Sequence, residues 1–248
     1  MGKRKIRAVA AAMALAAIVA FVRTAEADSV TAWGGNAYGE SNAPADADFV
    51  DIAAGYWHSV ALRADGRLAA WGDDYYGQCN VPAGDGFVAV AAGAWHGLAL
   101  SADGTVVAWG RNNYGQCNVP LGGGFAAVAA GGHHSLALQS DGVLVAWGRN
   151  DYGQCNVPAG RRFIYVAGGE RHTLAIADDG TLVAWGRNDF GQCDVPTGNE
   201  YVAVAAGAWH SLALKADGAL AAWGRNDYGQ CNAPAGEVFV AVSAGERH

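Results

Sequence analysis

Short apolar runs separated by turn residues fill this chain from Ser29 onward. Residues 86–123 show the pattern: FVAVAAG, HGLALSA, TVVAWG and YGQCNVP follow one another, with polar or Gly-rich breaks between them. None of these runs is long enough, or has the 3.6-residue spacing, to be a helix, so each predicts a β-strand. We label them A to D. Asp103-Gly104 between B and C is a two-residue hairpin signal. It returns as Asp65-Gly66, Asp141-Gly142, Asp179-Gly180 and Asp217-Gly218. Pro120 ends run D, where an edge position tolerates the missing N–H. Apolar and small residues occupy both parities of the runs, as in sheets covered on both faces rather than half in water.

The pattern repeats with a fixed stride. Trp33, Trp71, Trp109, Trp147, Trp185 and Trp223 recur every 38 residues, each followed by Gly. His58, His96, His134, His172, His210 and His248 keep the same stride, as does a proline series from Pro44 to Pro234. Such a period means one supersecondary unit copied in tandem, which buries its faces only by stacking on its neighbours. Four antiparallel strands per unit predict an all-β fold: a β-propeller of four-stranded blades. The chain begins its first unit at strand C, around Trp33, and ends with strand A and His248. The two ends read as one composite blade, giving six blades, or as part of a truncated seven-bladed ring.

Composition adds a compartment. Lys3, Arg4, Lys5 and Arg7 precede the apolar run 8–22, and Ala25-Glu26-Ala27 is an A-x-A cleavage site. Residues 1–27 therefore predict a cleaved signal peptide, leaving 28–248 as the propeller and a secreted or periplasmic location. Without the leader, 11 basic and 22 acidic residues remain, a net charge of -11. An acidic surface repels phosphate backbones, which argues against nucleic acid as a partner. No membrane contact is expected after cleavage, and the chain reads as a monomer.

Export would permit disulfides, but Cys79, Cys117, Cys155, Cys193 and Cys231 occupy one equivalent place in each repeat. Neighbouring copies of that place are too far apart to be bridged. With no C-x-x-C pair, the cysteines predict small buried hydrophobes, not metal ligands. The periodic histidines predict a structural hydrogen bond repeated by symmetry. No cofactor, metal or catalytic motif is expected.

The segment Gly-x-x-His-Ser-Leu-Ala-Leu, then Asp-Gly, then Val-Ala-Trp-Gly-Arg-Asn-Asp-Tyr-Gly-Gln, resembles the regulator of chromosome condensation repeat family. The resemblance covers residues 29–248 and implies a β-propeller. Cys stands here where that family has Leu after Gly-Gln. The compact repeat and the start Ser29-Val30-Thr31-Ala32-Trp33-Gly34 are similar to secreted bacterial members, the propeller-type β-lactamase inhibitory proteins. That resemblance implies partner binding by loops on one face, with an aromatic before the His position.

Strand alternation puts the A–B and C–D connections on one face. There the scaffold columns hold still and two others vary. The pairs before His are Tyr56-Trp57, Ala94-Trp95, Gly132-His133, Glu170-Arg171, Ala208-Trp209 and Glu246-Arg247. After Trp-Gly come Gly35, Asp73, Arg111, Arg149, Arg187 and Arg225. Trp, Tyr and Arg are the usual anchors of protein interfaces, so these residues form the candidate partner-binding face. The aromatic match holds for Trp57, Trp95 and Trp209 and fails for His133, Arg171 and Arg247. Packing of the rim onto adjacent loops is the competing reading. The opposite face varies too, at Asp85, Arg161, Arg162, Asn199 and Glu200.

The function expected from this pattern is an exported, non-enzymatic propeller that binds another protein. Inhibition of a β-lactamase or another cell-wall enzyme is a special case of it. A carbohydrate or cell-envelope module using the exposed Trp is an alternative. An enzyme would need a non-repeated cluster of acids, bases or metal ligands, which the sequence does not display. Nucleotide exchange on a small GTPase conflicts with export and with an acidic surface.

Overall fold

The computed structural model describes residues 30, 32, 34–45, 48–234 and 236–247; residues 1–27, where a signal peptide is expected, Trp33 and His248 lie outside these. Five antiparallel sheets follow one another along the chain, each of three strands in sequence order. The first holds β1 (Phe49–Ala54), β2 (His58–Arg63) and β3 (Leu68–Gly72). The second holds β4 (Phe87–Ala92), β5 (His96–Ser101) and β6 (Val106–Gly110), and the third β7 (Phe125–Ala130), β8 (His134–Gln139) and β9 (Leu144–Gly148). The fourth holds β10 (Phe163–Gly168), β11 (His172–Ala177) and β12 (Leu182–Gly186), and the fifth β13 (Tyr201–Ala206), β14 (His210–Lys215) and β15 (Leu220–Gly224). Successive first strands pack on one another, β1 on β4, β4 on β7, β7 on β10 and β10 on β13. This is the arrangement of inner strands in radially stacked blades.

Within the five sheets strands A, B and C form where the pattern places them, and the Asp-Gly hairpins form as well. Asp103 Oδ1 accepts from the Thr105 N–H at 3.0 Å, and Gly104 sits at φ +81°, a conformation that favours glycine. Each first strand carries a bulge after its first residue. That bulge leaves Val50, Val88, Ile164 and Val202 exposed.

Run D is not a fourth strand. The segment after each Trp-Gly folds into a compact turn held by its own side chains. In the second repeat, Asn112 Oδ1 accepts from the Cys117 N–H and Asn112 Nδ2 donates to Asn118 Oδ1, both at 2.8 Å. Gln116 Oε1 accepts from the Tyr114 N–H at 3.0 Å. These local bonds occupy the backbone groups that a ladder would need. Among the described residues the sheets are therefore three-stranded, and the strands make five units; Trp33 of the expected sixth unit lies outside these residues. The terminal run Phe239–Gly245 also forms no strand. The cysteines are free and only half-buried. The thiol of Cys117 points at the Arg111 carbonyl, 3.3 Å away, so it is a turn-packing group rather than a core hydrophobe.

The core lies in the seams between sheets. Ala53, Val60, Leu62 and Leu68 of the first sheet meet Phe87, Val90, Ala99 and Trp109 of the second. Leu98, Leu100 and Ala91 then meet Phe125, Val128, Ala137 and Trp147. Because both faces of a sheet join seams, the middle strand is buried throughout, as in His134–Leu138.

Each later seam is also fastened by a polar clasp. The Gln116 carbonyl accepts the Trp147 indole N–H at 2.9 Å and the Ser135 hydroxyl at 2.8 Å, filling both lone pairs. Ser135 Oγ lies 3.0 Å from Nε2 of His96, in the preceding repeat. The single hydroxyl proton goes to the carbonyl, so the imidazole must present its Nε2–H to the oxygen. The same geometry links His134 to Thr173 and His172 to Ser211. The repeated structural hydrogen bond expected of the histidines is thus a bond between repeats. The first seam is the exception. Gly97 stands where the hydroxyl would be, the Trp109 indole lies against it, and His58 has no hydroxyl to meet.

Two outcomes follow from the clasp. Ser135→Ala should lower the unfolding free energy by about 1–3 kcal/mol, because it strands a buried imidazole N–H; an unchanged urea midpoint would remove the clasp as a stabilising element. Burial pushes His96, His134 and His172 down to about 3, against an ordinary value of 6.5. These groups stay neutral in the fold but take up protons on unfolding, so stability is fully present above about pH 6.5 and falls as pH drops toward 3. Asp51, pushed up to about 6 chiefly by burial, holds a proton in the fold and offsets part of that loss between about pH 4 and 6. Urea unfolding between pH 7.5 and 4.5 should show a falling midpoint; a flat profile would contradict it.

Candidate functional site: a face of interleaved aromatic and arginine side chains

The two variable columns belong to one surface, and the backbone joins them. The N–H after each Trp-Gly donates to the carbonyl of the residue before His in the same repeat. Asp73 donates to Trp57 at 2.7 Å, Arg111 to Trp95 at 2.8 Å, and Arg149 to His133, Arg187 to Arg171 and Arg225 to Trp209 at 2.9 Å. The preceding glycine is required for this approach: Gly110 has φ +93°, and a Cβ there would press on the Trp95 carbonyl.

Neighbouring A–B loops are tied to each other as well. Tyr56 N–H donates to the Ala94 carbonyl at 3.3 Å, Ala94 to Gly132 at 3.1 Å and Gly132 to Gly169 at 3.0 Å. The loops thus form a continuous rim, with each glycine of Gly-x-x-His packed between its own His ring and the next loop.

A third column completes the face. Tyr38, Tyr76, Tyr114, Tyr152, Phe190 and Tyr228 head the turns after Trp-Gly, and each described ring is exposed by more than a third. Each turn ring meets the loop residue of the following repeat. Tyr38 packs edge-on to Trp57 at 5.5 Å, Tyr114 to His133 at 5.3 Å and Phe190 to Trp209 at 5.7 Å. The arginines lie over these rings. Arg111 is 4.8 Å from the Tyr76 ring and 5.2 Å from Trp95; Arg149 is 4.7 Å from Tyr114. Arg187 is 4.9 Å from Tyr152 and 4.5 Å from Trp209, and Arg225 is 5.1 Å from Phe190. Arg171 and Arg247 cover Tyr152 and Tyr228, each at 5.3 Å. The turn rings were not among the expected site residues. They keep an aromatic ring at every stride, Phe190 standing for Tyr once, and in an extended fourth strand they would read as packing.

At the centre the face crosses the ring. The Tyr56 hydroxyl donates to Glu170, from a loop of the first repeat to a loop of the fourth. Burial, then the neighbouring Glu170 carboxylate, raises the phenol far above its ordinary range. Trp95 packs edge-on to Tyr56 at 5.3 Å and stacks on His133 at 5.2 Å. His133 is buried and held down to about 4, first by burial and then by Arg111, Arg149 and Arg171, so it is neutral at neutral pH.

The expected residues therefore meet on one face, with different accessibility. Tyr56, Trp57 and Arg247 are exposed. Trp95, Glu170, Arg171, Trp209, Asp73, Arg111, Arg149, Arg187 and Arg225 are half-buried. Asp151, Asp189 and Asp227 pair with Arg149, Arg187 and Arg225 at 2.5–2.6 Å. Arg111, followed by two asparagines, has no such partner among the described residues. The arginines pack the rim through these ring contacts. Among the described residues no group of three or more His, Cys, Asp or Glu side chains could hold a metal ion. On the opposite face, Arg161 and Arg162 border a separate shallow cleft with Val143, Val157 and Pro158.

The regulator of chromosome condensation (RCC1) repeat matches residues 49–78, 87–116, 125–154, 163–192 and 201–230, from each first strand to the clasp glutamine. No curated protein matches the chain. Among solved structures, Prp20p of Saccharomyces cerevisiae, described with its binding to Gsp1p and histones, is 23% identical with a TM-score of 0.66, over 80% of this chain and 67% of Prp20p. The ectodomain of the Physcomitrella patens receptor kinase CR4 is 25% identical with a TM-score of 0.69, over 82% of this chain and 58% of that one. The ectodomain of the Arabidopsis thaliana receptor kinase ACR4 is 23% identical with a TM-score of 0.67, over 82% and 74%. The chain thus spans about two thirds of the length of these relatives in fold. It belongs to the regulator of chromosome condensation repeat family and has that family's β-propeller fold.

Proposed function

We propose that this protein is an exported, non-enzymatic propeller that binds another protein through the face carrying Trp57, Trp95, Trp209 and the arginine column. The observation that carries this reading is the convergence of the chain's two variable columns on one hydrogen-bonded rim. A repeat scaffold spends its invariant residues on its seams. Sequence variation gathered on a rim is how such a scaffold acquires a specific surface. The side chains gathered there are of the types that dominate interface energetics. The rim bonds and the cation–ring contacts hold these side chains in place before binding, which lowers the ordering cost of association.

Export rests on the basic-then-apolar leader and its A-x-A site. An extracytoplasmic enzyme, a β-lactamase among the candidates, is the partner class this location suggests. The Tyr56–Glu170 contact closes over the middle of this face, which favours a surface partner over a substrate drawn into a central channel.

Capture from an extracytoplasmic extract on immobilised protein tests this reading. Trp57→Ala, Trp95→Ala and Trp209→Ala should each weaken capture by about 2 kcal/mol or more, as hot-spot anchors do. Arg161→Glu with Arg162→Glu, on the opposite face, should leave it unchanged. Capture indifferent to the three Trp variants, or lost with the arginine pair, would reject this face. Inhibition of nitrocefin hydrolysis at micromolar protein would identify a β-lactamase as the partner, and its absence would remove that class.

A further inference from the structure

We infer that the first repeat carries a recognition site for a guanidinium group, an arginine side chain presented by the partner protein. The site is the cleft of about 330 Å³ lined by Tyr38, Trp57, Asp73, Tyr75 and Trp95. The inference deepens the docking reading above, on whose face the cleft lies.

The other repeats show what this place is shaped to hold. In the second to fifth repeats the residue after Trp-Gly is an arginine, and its guanidinium rests on the turn ring of the preceding repeat. Arg111 rests on Tyr76 at 4.8 Å, Arg149 on Tyr114 at 4.7 Å, Arg187 on Tyr152 at 4.9 Å and Arg225 on Phe190 at 5.1 Å. Four internal cations thus fill four equivalent aromatic seats. In the first repeat the equivalent ring is Tyr38, seated against Trp57, but the residue after Trp-Gly is Asp73. The aromatic seat is kept there and the chain's own cation is not supplied.

The charge is inverted as well. In the third to fifth repeats an aspartate two positions on neutralises the arginine. In the first repeat that position is Tyr75, which stands out from the surface and packs edge-on to Tyr76 at 4.8 Å. The acid has moved to the ring-lined floor and the ring to the rim. Asp73 is held there: its Oδ2 accepts from the buried Gln78 side chain at 2.9 Å and its Oδ1 from the Tyr75 N–H at 3.2 Å. In the arginine-bearing repeats the corresponding Nε2 of Gln116, Gln154 and Gln192 has no hydrogen-bond partner. Asp73 is thus a fixed carboxylate among four aromatic rings, which suits a planar cation that stacks and donates hydrogen bonds at once.

The test uses the full chain and small probes, read by tryptophan fluorescence or NMR. N-acetyl-arginine methylamide should give a saturable response. Its neutral isostere, N-acetyl-citrulline methylamide, should bind at least about tenfold more weakly, a difference of about 1.4 kcal/mol. Asp73→Asn should weaken the arginine probe by about tenfold. Asp73→Arg, which supplies the internal guanidinium of the sibling repeats, should abolish binding while leaving the melting temperature near its original value. Equal response to citrulline, no saturable response to arginine, or undiminished binding by Asp73→Arg would each overturn the site. Equal response to the lysine analogue would overturn the guanidinium assignment. Arginine-probe binding that is lost in the Asp73 variants supports the site even where capture proves indifferent to Trp57, Trp95 and Trp209. Partner capture that persists without any probe response overturns the site and leaves the docking face standing.

Discussion

One carbonyl oxygen per seam holds this molecule in register. The Gln116 carbonyl takes a tryptophan N–H and a serine hydroxyl from the next repeat, and that hydroxyl is met by a histidine of the Gln116 repeat. Two repeats thus share a network that neither can complete alone. The apolar seam supplies area without direction, since hydrophobic contact tolerates sliding. The clasp supplies direction, because a buried imidazole or indole N–H without its acceptor is costly. Conversely, the burial that keeps the histidines neutral requires a partner that needs no charge, which a hydroxyl provides.

The loop face depends on that register. The residue before His and the residue after Trp-Gly are joined by a backbone hydrogen bond, and both flank clasp residues. Fixing His and Trp therefore fixes the variable positions beside them. The face is then built by alternation: a ring from one turn, a cation above it, a ring or cation from the next loop. Its arginines are partly spent on internal contacts with rings and aspartates. What distinguishes one sector from another is which member of this alternation is missing. The second repeat lacks the aspartate beside Arg111, and the first lacks the arginine.

Much of this was legible before the structure. The stride named the repeat, and the Asp-Gly dipeptides fixed the B–C hairpins. Strand alternation put the two variable columns on one face. Two things were hidden. Run D has the alternation of a strand, but its Asn and Gln side chains capture the local N–H groups, and that competition is invisible to a hydrophobic pattern. The turn aromatics from Tyr76 to Tyr228 were hidden by their own regularity: a column that is aromatic in every repeat looks structural, yet these rings are the seats on which the face is built. The histidines were legible as structural but not as bonds between repeats, since the partner hydroxyl lies 39 residues on, one past the stride.

Gly97 gives the array a direction of weakness. In a tandem fold each unit communicates only with its neighbours, so cooperativity is the product of the couplings at successive seams. The seam between the first and second sheets keeps its apolar packing and its indole bond but has no hydroxyl bridge. Opening fluctuations that are shared evenly among uniform seams collect at the least coupled one. The first sheet is therefore the unit whose seam couples least to the other four, and the contacts of Tyr56 with Ala94 and Glu170 tie its loop to the rim. It carries Trp57 and the Asp73 cleft, so the sector of the rim most unlike its siblings in chemistry is also the one whose seam has no hydroxyl bridge.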